Sequence, residues 1–157
     1  MPKAALAITG AMVGAALALP TTRRQLARAG RMIIDEVVLQ SDTPWTRDLV
    51  ILTSEGRRTG LPRTTVLFPV RLDGDTYVLP WDGGCGWFHN VRANPDVVID
   101  DRVKVHRATA EVVDPEVAER VRLEFVDRFI PARLRSFVTR DGAPLGRGLP
   151  AVRLNTA

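Results

Sequence analysis

The chain has almost none of the residues from which disulfide frameworks and metal centres are built. Its 157 residues include one cysteine, Cys85, and two histidines, His89 and His106. A single thiol cannot form an internal disulfide and fits a reducing compartment. The two histidines fall on different predicted elements, without the ligand spacing of a metal site. We therefore predict neither a disulfide scaffold nor a bound metal.

The common phosphate-binding and nucleophile motifs are also missing. The sequence has no P-loop and no serine nucleophile elbow. The glycine-rich GGCGWF at residues 83–88 lacks both the G-x-G-x-x-G spacing and the βαβ context of a dinucleotide-binding turn. Acyl transfer and Rossmann-type nucleotide binding are therefore disfavoured.

No long hydrophobic run is present. Residues 4–19 (AALAITGAMVGAALAL) are uncharged but consist mostly of alanine and glycine, and a transmembrane helix needs ~20 clearly apolar residues. The arginines of residues 23–31 would keep everything downstream in the cytoplasm. Residues 1–20 are thus predicted as an apolar extension. Two alternatives stay open: a helix lying over the domain, and peripheral contact with the cytoplasmic face of a membrane.

Positive charge is in modest excess and is carried by arginine. The net charge is +4, and the only lysines are Lys3 and Lys104. Arginine forks suit carboxylates and phosphates. Aromatic residues are not interleaved with the arginines of residues 23–31, so a nucleic-acid partner is not predicted. The hydrophobic fraction of 45% predicts one ordinary globular domain, which we place at residues 21–157.

Periodicity predicts a mainly β chain with flanking helices. An amphipathic helix is expected at residues 22–40, a short one at 87–93, and one from the Asp114 cap to about Phe129, while 131–138 is ambiguous. Strands are predicted at 48–53, 64–72, 76–81, 97–100, 103–113 and, as a closing edge strand, 149–154. Asp73-Gly74-Asp75 is a hairpin turn. About six mostly sequential strands favour an antiparallel barrel over a doubly wound sheet.

One connection between strands concentrates positive charge. In TSEGRRTGLPRTT (residues 53–65), Arg57, Arg58 and Arg63 surround a turn whose backbone N–H groups are expected to be partly free. Free amides in a glycine-rich turn form an anion-binding nest, and guanidinium groups add charge-assisted hydrogen bonds. The alternative is a solvated hairpin, and the residues alone do not decide between the two.

A second stretch concentrates aromatic residues. PWDGGCGWFHNVRANP (residues 80–95) places Trp81, Trp87 and Phe88 around glycines, a composition suited to a planar ligand. Packing of Trp87 and Phe88 in the core is the alternative. His89 is either a proton donor or a hydrogen-bonded polar group.

Together these stretches resemble a known family. LTSEGRRTGLPRTT, DGDTYVL, WFHNVRANP, VKVHRATAEVVD and PAVRL are similar to the deazaflavin-dependent nitroreductases, also called deazaflavin-dependent quinone reductases. The resemblance is best over residues 49–113. Its most specific feature is the pairing of a G-R-[KR]-[ST]-G-x-P-R turn with an N-[LV]-R-A-N-P helix. It implies the FMN-binding split-barrel fold.

The resemblance also implies an activity and a set of contacts. The activity is hydride transfer from reduced deazaflavin coenzyme F420, with FMN as the alternative cofactor, to a small acceptor such as a quinone or nitro compound. The basic turn would hold the phosphate and polyglutamate tail of the coenzyme. The implied coenzyme-binding residues are Arg57, Arg58, Thr59, Gly60, Arg63, Thr65, Gly83, Gly84 and Trp87. The implied substrate pocket contains Phe68, Trp81 and Phe88, and no catalytic residue is assigned.

The sequence departs from the family at two places. The connection at residues 82–86 is shorter than in many relatives, which leaves open how the phosphate end of the coenzyme is covered. Tyr77 is the single tyrosine, and Phe68 and Phe88 stand where nitroimidazole-reducing relatives carry phenols, so a nitro acceptor is disfavoured. Two further hypotheses stay open: a non-catalytic split-barrel module that binds a flavin, haem or fatty acid, and assembly as a homodimer.

Overall fold

The computed structural model describes residues 48–81, 85–143 and 145–156. They belong to one compact unit, Arg47–Ala157. The apolar extension at residues 1–20, the helix predicted at 22–40, Gly83 and Gly84 lie outside the described residues. The domain boundary placed at residue 21 therefore stays a prediction.

The described unit is built on one antiparallel sheet. Its seven strands are β1 (Val50–Glu55), β2 (Pro62–Leu67), β3 (Val70–Leu72), β4 (Asp75–Val78), β5 (Asp96–Asp100), β6 (Val105–Val112) and β7 (Val152–Thr156). Their spatial order is β2-β1-β5-β6-β7-β4-β3. The antiparallel, mainly β architecture predicted from the sequence is confirmed.

The sheet is curled because its two edge strands follow each other directly in the chain. The edge strands β2 and β3 are joined only by Phe68 and Pro69, so Leu67 and Val70 can lie no more than about 11 Å apart. The single strand predicted at residues 64–72 is therefore interrupted at this corner, and the sheet has seven strands rather than about six. Pro69 has no N–H to contribute to a ladder, which explains why pairing stops there.

The prediction that the last strand lies at an edge is wrong. β7 lies between β6 and β4, and Val152 pairs with both Val112 and Val78. Pro150 suggested an edge position, but it precedes the strand and so leaves the ladder intact.

The hairpin turn predicted at residues 73–75 is confirmed. Asp73 and Gly74, with φ of 54° and 88°, join the paired residues Leu72 and Asp75. Two consecutive positive φ angles are what a tight hairpin of this twist requires.

Three helices accompany the sheet: α1 (Gly86–Ala93), α2 (Pro115–Phe129) and α3 (Ala132–Thr139). The Asp114 carboxylate accepts hydrogen bonds from the amides of Glu116 and Val117 and so caps α2 as predicted. The ambiguous segment at residues 131–138 forms α3. Within the described ranges, no helix is long and apolar enough to cross a bilayer.

The core lies between the concave face of the sheet and α1. The helix buries Trp87, Phe88, Asn90 and Val91, and its aromatic residues pack into one cluster with inward side chains of β1, β2, β4, β5, β6 and β7. Burying a large apolar side chain contributes roughly 1.5–3 kcal/mol, so this cluster fixes the position of α1 against the sheet.

Candidate functional site

The basic turn is the β1–β2 connection, residues 56–61, called the hairpin loop below. The carbonyl of Gly56 accepts hydrogen bonds from the amides of Thr59 (3.0 Å) and Gly60 (2.8 Å), and its own amide donates to the carbonyl of Leu61 (2.8 Å). A Cβ at Gly56 would lie 2.8 Å from Thr59 Oγ1 and 3.0 Å from the Leu61 carbonyl oxygen. Glycine is therefore required for the loop to close this tightly.

The expected nest of partly free amides does not form. The amide of Arg57 donates to Asn90 Oδ1, and the amide of Leu61 donates to Thr59 Oγ1. Of the amides at residues 56–61, only that of Arg58 has no hydrogen-bond partner among the described residues. The loop satisfies the others by its own closure and through α1, so anion binding here must depend on side chains.

Asn90 joins the hairpin loop to α1. Its Oδ1 accepts from the Arg57 amide and from Arg57 Nη1, both at 3.3 Å, while the side chain is 93% buried. At the end of the helix, Asn94 Nδ2 donates to Glu55 Oε2 at 3.1 Å. The two sequence motifs thus touch each other. The importance of Asn90 was not predicted, although it lies in the NVRANP motif, because its partner is distant in sequence.

Two arginines of the hairpin remain available. The side chains of Arg58 and Arg63 are exposed and form no ion pair or hydrogen bond with another described residue. Arg63 pairs with Ser54, and Thr65 pairs with Leu52. Because Ser54 and Leu52 are buried on the concave side, Arg63 and Thr65 lie on that face of the edge strand. Arg57, by contrast, is partly occupied by Asn90.

The predicted pocket aromatics separate into two groups. Trp81 and Phe68 belong to one row of rings that runs along α2. The centroid distances are 6.4 Å for Trp81–Phe125, 4.9 Å for Phe125–Phe129 and 5.4 Å for Phe129–Phe68. Phe125 and Phe129 were not predicted, but their i, i+4 spacing on α2 is the signal that could have revealed them.

Phe88 is not part of this row. It packs against Trp87 and His89, and both Trp87 and Phe88 are only 6% exposed. Their rings are therefore core residues in the described structure. Trp81 is 38% exposed and is the tryptophan of this stretch with accessible ring surface.

Strand directions bring the hairpin loop and Trp81 to the same end of the sheet. Every neighbouring pair from β1 through β5, β6 and β7 to β4 is antiparallel, so β1 and β4 run in the same direction. The hairpin loop follows β1, and Trp81 follows β4 shortly before α1 begins. We call this the hairpin end.

The single tyrosine is held in a polar network. Tyr77 Oη donates to Asp75 Oδ2 at 3.3 Å, and Arg153 Nη1 donates to the same carboxylate oxygen. Burial raises the pKa of Tyr77 above its usual value of 10.0, and the neighbouring charge of Asp75 raises it further. The Tyr77 hydroxyl group is therefore used in a structural hydrogen bond. The described ranges contain no group of three His, Cys, Asp or Glu side chains suited to a metal.

Comparison with known families adds to this geometry. Residues 23–132 match the family described as F420H(2)-dependent quinone reductase. The matched range includes the hairpin loop, α1, α2 and six of the seven strands. The chain belongs to this family. The resemblance to deazaflavin-dependent reductases is thereby confirmed, and the coenzyme named is F420; FMN binding and membrane association gain no support.

Individual proteins similar to this chain add to the family match. The F420H(2)-dependent quinone reductase of Mycobacterium tuberculosis (strain ATCC 25618 / H37Rv) is 34% identical over 102 residues, or 61% of this chain and 68% of that protein. A solved F420-H2 dependent reductase, FDR-A, has a TM-score of 0.51 and 26% identity, over 69% of this chain and 95% of that one. A domain-swapped dimer has a TM-score of 0.53 and 25% identity, over 85% and 96%. The split-barrel prediction is confirmed.

Proposed function

We propose that this chain transfers a hydride from reduced coenzyme F420 to a quinone and that the coenzyme binds at the hairpin end. Family membership supports the reaction. The observation that carries the location is the Asn90–Arg57 contact, which fixes the hairpin loop on α1 and leaves Arg58 and Arg63 unpaired beside it.

The available side chains fit the acidic tail of the coenzyme. Arg58 and Arg63 offer planar forks that suit phosphate and carboxylate oxygens. Arg57 positions the loop and retains further N–H donors for the ligand. The other proposed coenzyme contacts are unchanged from the sequence: Thr59, Gly60, Thr65, Gly83 and Gly84. Trp87 was also proposed to line the coenzyme, but with its ring in the core it would support the site by holding α1 in place.

The acceptor would lie against Trp81, the exposed member of the aromatic row. A quinone is flat, and an accessible indole provides a stacking surface. Phe68 supports this row through Phe129, while Phe88 holds α1 in the core. When bound, the coenzyme supplies the hydride, and a proton from water completes reduction to the hydroquinone. The protein contributes orientation, which is its usual part in cofactor chemistry.

Two finer features, a homodimer and a cytoplasmic location with membrane contact, are also proposed. Assembly as a homodimer is consistent with the relative that forms a domain-swapped dimer. Location in the cytoplasm and membrane contact through residues 1–20 derive from the sequence alone.

The test is oxidation of reduced F420 by the purified full chain, followed by absorbance with and without menadione. We expect oxidation that requires both protein and quinone. We also expect slower turnover with a nitroimidazole, because no free phenol is available. Reduced FMN serves as the control cofactor and should support little turnover. Coenzyme binding without quinone-dependent oxidation would contradict the proposal and favour a non-catalytic binding module.

A further inference from the structure

A cavity of about 210 Å³ lies on the concave side of the sheet away from the hairpin loop. Val50, at the start of β1, lines it, whereas the hairpin loop follows Glu55 at the other end of the same strand. Five residue steps along a strand span about 16 Å. The cavity is therefore a separate region from the proposed coenzyme site, and we call it the cavity end.

The floor of the cavity is apolar. Val50, Ile99 and Leu154 line it from β1, β5 and β7, and each is at most 5% exposed. They are the last members of the hydrophobic core on this side. These three side chains give the cavity a small apolar floor against which the body of a ligand can pack. Mouths of β-barrels are common positions for such sites.

The rim of the cavity is polar and mostly basic. Arg71 and Lys104 line it, and neither forms an ion pair or side-chain hydrogen bond with another described residue. Thr76, directly paired with Arg71, and Thr156, at the end of β7, add hydroxyl groups. Two unpaired cations beside hydroxyl donors constitute a recognition set for an anionic oxygen group.

His106 supplies the observation that points most directly to a ligand. Its Nδ1 is buried and has no hydrogen-bond partner among the described residues, although His106 is one of the residues that line the cavity. A buried polar atom without a partner costs about 1–3 kcal/mol, so such atoms are uncommon in folded proteins. Because Nδ1 has almost no accessible surface, a ligand oxygen or an ordered water in the cavity becomes its partner once the imidazole ring turns toward the cavity.

Asp101 is the one carboxylate among the described residues that line the cavity, and it accepts hydrogen bonds from the backbone of the adjoining turn. Its Oδ1 accepts hydrogen bonds from the amides of Lys104 (2.9 Å) and Val103 (3.0 Å) in the β5–β6 turn. The rim thus carries two cations, Arg71 and Lys104, against one carboxylate, which interacts with backbone donors and with the charge of Lys104. Its electrostatic balance favours an anion.

We propose that this cavity binds a small carboxylate with an apolar body, about the size of benzoate. The volume of about 210 Å³ gives room for a molecule of this size, since a closed apolar cavity of about 150 Å³ already holds benzene. The carboxylate would lie between Arg71, Lys104 and His106, and the apolar body would contact Val50, Ile99 and Leu154. The site is distinct from the one proposed for the coenzyme.

The experiment is a titration of the ¹⁵N-labelled full chain, without coenzyme, with sodium benzoate and separately with benzyl alcohol. We expect saturable amide shifts at Thr76, Ile99 and Thr156, and at least tenfold weaker binding of the neutral alcohol. Arg71→Gln and His106→Leu should each weaken benzoate binding at least threefold. Asp101→Asn should strengthen it. Arg107→Gln, on the exposed face of β6, removes the same charge and should leave affinity unchanged.

Three results would overturn the proposal. They are equal affinity for benzoate and benzyl alcohol, equal effects of Arg71→Gln and Arg107→Gln, and amide shifts that occur elsewhere or do not saturate. Coenzyme affinity is measured separately on the same variants. A variant that loses benzoate binding but keeps normal coenzyme affinity would therefore show that its substitution affects the cavity and leaves the coenzyme site intact.

Discussion

At the hairpin end, Arg58 on the loop and Arg63 on the adjoining strand β2 are exposed above a core filled by α1, whereas at the cavity end Arg71 and Lys104 border a recess with an apolar floor. The arginines of the hairpin can reach outward but cannot enclose a ligand. The cations of the cavity border a recess that is partly open to solvent and has an apolar floor. One curled sheet thus presents positive charge in two different settings.

This difference determines which anion suits each end. An exposed ion pair contributes only about 0.2–1 kcal/mol, because water and salt screen it. A ligand held at the hairpin end therefore needs several negative charges, as the coenzyme tail has. At the cavity end a single charge can suffice, since removal of water strengthens each electrostatic contact and the apolar body adds burial.

The largest expected effect comes from removing the link between the hairpin loop and α1. Asn90→Ala leaves the Arg57 amide without its partner inside a part-buried contact and should lower the free energy of unfolding by about 2–3 kcal/mol. Asn94→Ala removes only an exposed hydrogen bond to Glu55 and should cost less than about 1 kcal/mol. Urea unfolding measures both. Similar losses for the two variants would refute the special role of Asn90.

The next effect concerns the shape of the hairpin loop. Gly56→Ala places a methyl group 3.0 Å from the Leu61 carbonyl oxygen and should destabilise the fold by about 1–3 kcal/mol. Gly86→Ala is the matched control, because a Cβ at that position would have no described neighbour within 4 Å. Thermal unfolding should show a clear loss for the first variant and little change for the second. Equal behaviour would show that the loop can relax around a side chain.

The smallest effect is pH-dependent and lies at the cavity end. Hydrogen bonds from the Lys104 and Val103 amides hold the pKa of Asp101 below its usual value of 3.8, against some desolvation. This carboxylate therefore stabilises the fold above the unfolded-state pKa, and that contribution is lost as pH falls through the folded-state pKa. Asp101→Asn should cost less than about 1 kcal/mol at pH 7. The two proteins should converge in acid, and a constant difference from pH 7 to pH 2 would contradict this account.

The sequence predicted local features better than distant pairings. The Asp73-Gly74 turn, the Asp114 cap and the helix before Pro95 have short-range causes, and all three form as expected. The position of β7 could not be predicted, because its pairing with β4 and β6 depends on how the whole sheet closes. The corner at Phe68 and Pro69 was missed for the same reason.

The residues of the candidate site show the same difference between local features and distant contacts. The hairpin arginines were identified because they lie together in sequence. The contact of Arg57 with Asn90 was not, since it joins residues 33 positions apart. The cavity combines residues from six strands, and only the folded sheet brings His106 close to Arg71.

The most direct test of the central claim is the dissociation constant of reduced F420 for two double variants. Arg58→Gln with Arg63→Gln changes the proposed tail site. Arg107→Gln with Arg133→Gln removes the same total charge from exposed positions elsewhere. We predict at least tenfold weaker binding for the hairpin variant, since hydrogen bonds to charged groups contribute about 1.5–3 kcal/mol each before screening. The control should stay within about twofold of the unchanged protein. Equal affinities for the two double variants would contradict the placement of the coenzyme at the hairpin end.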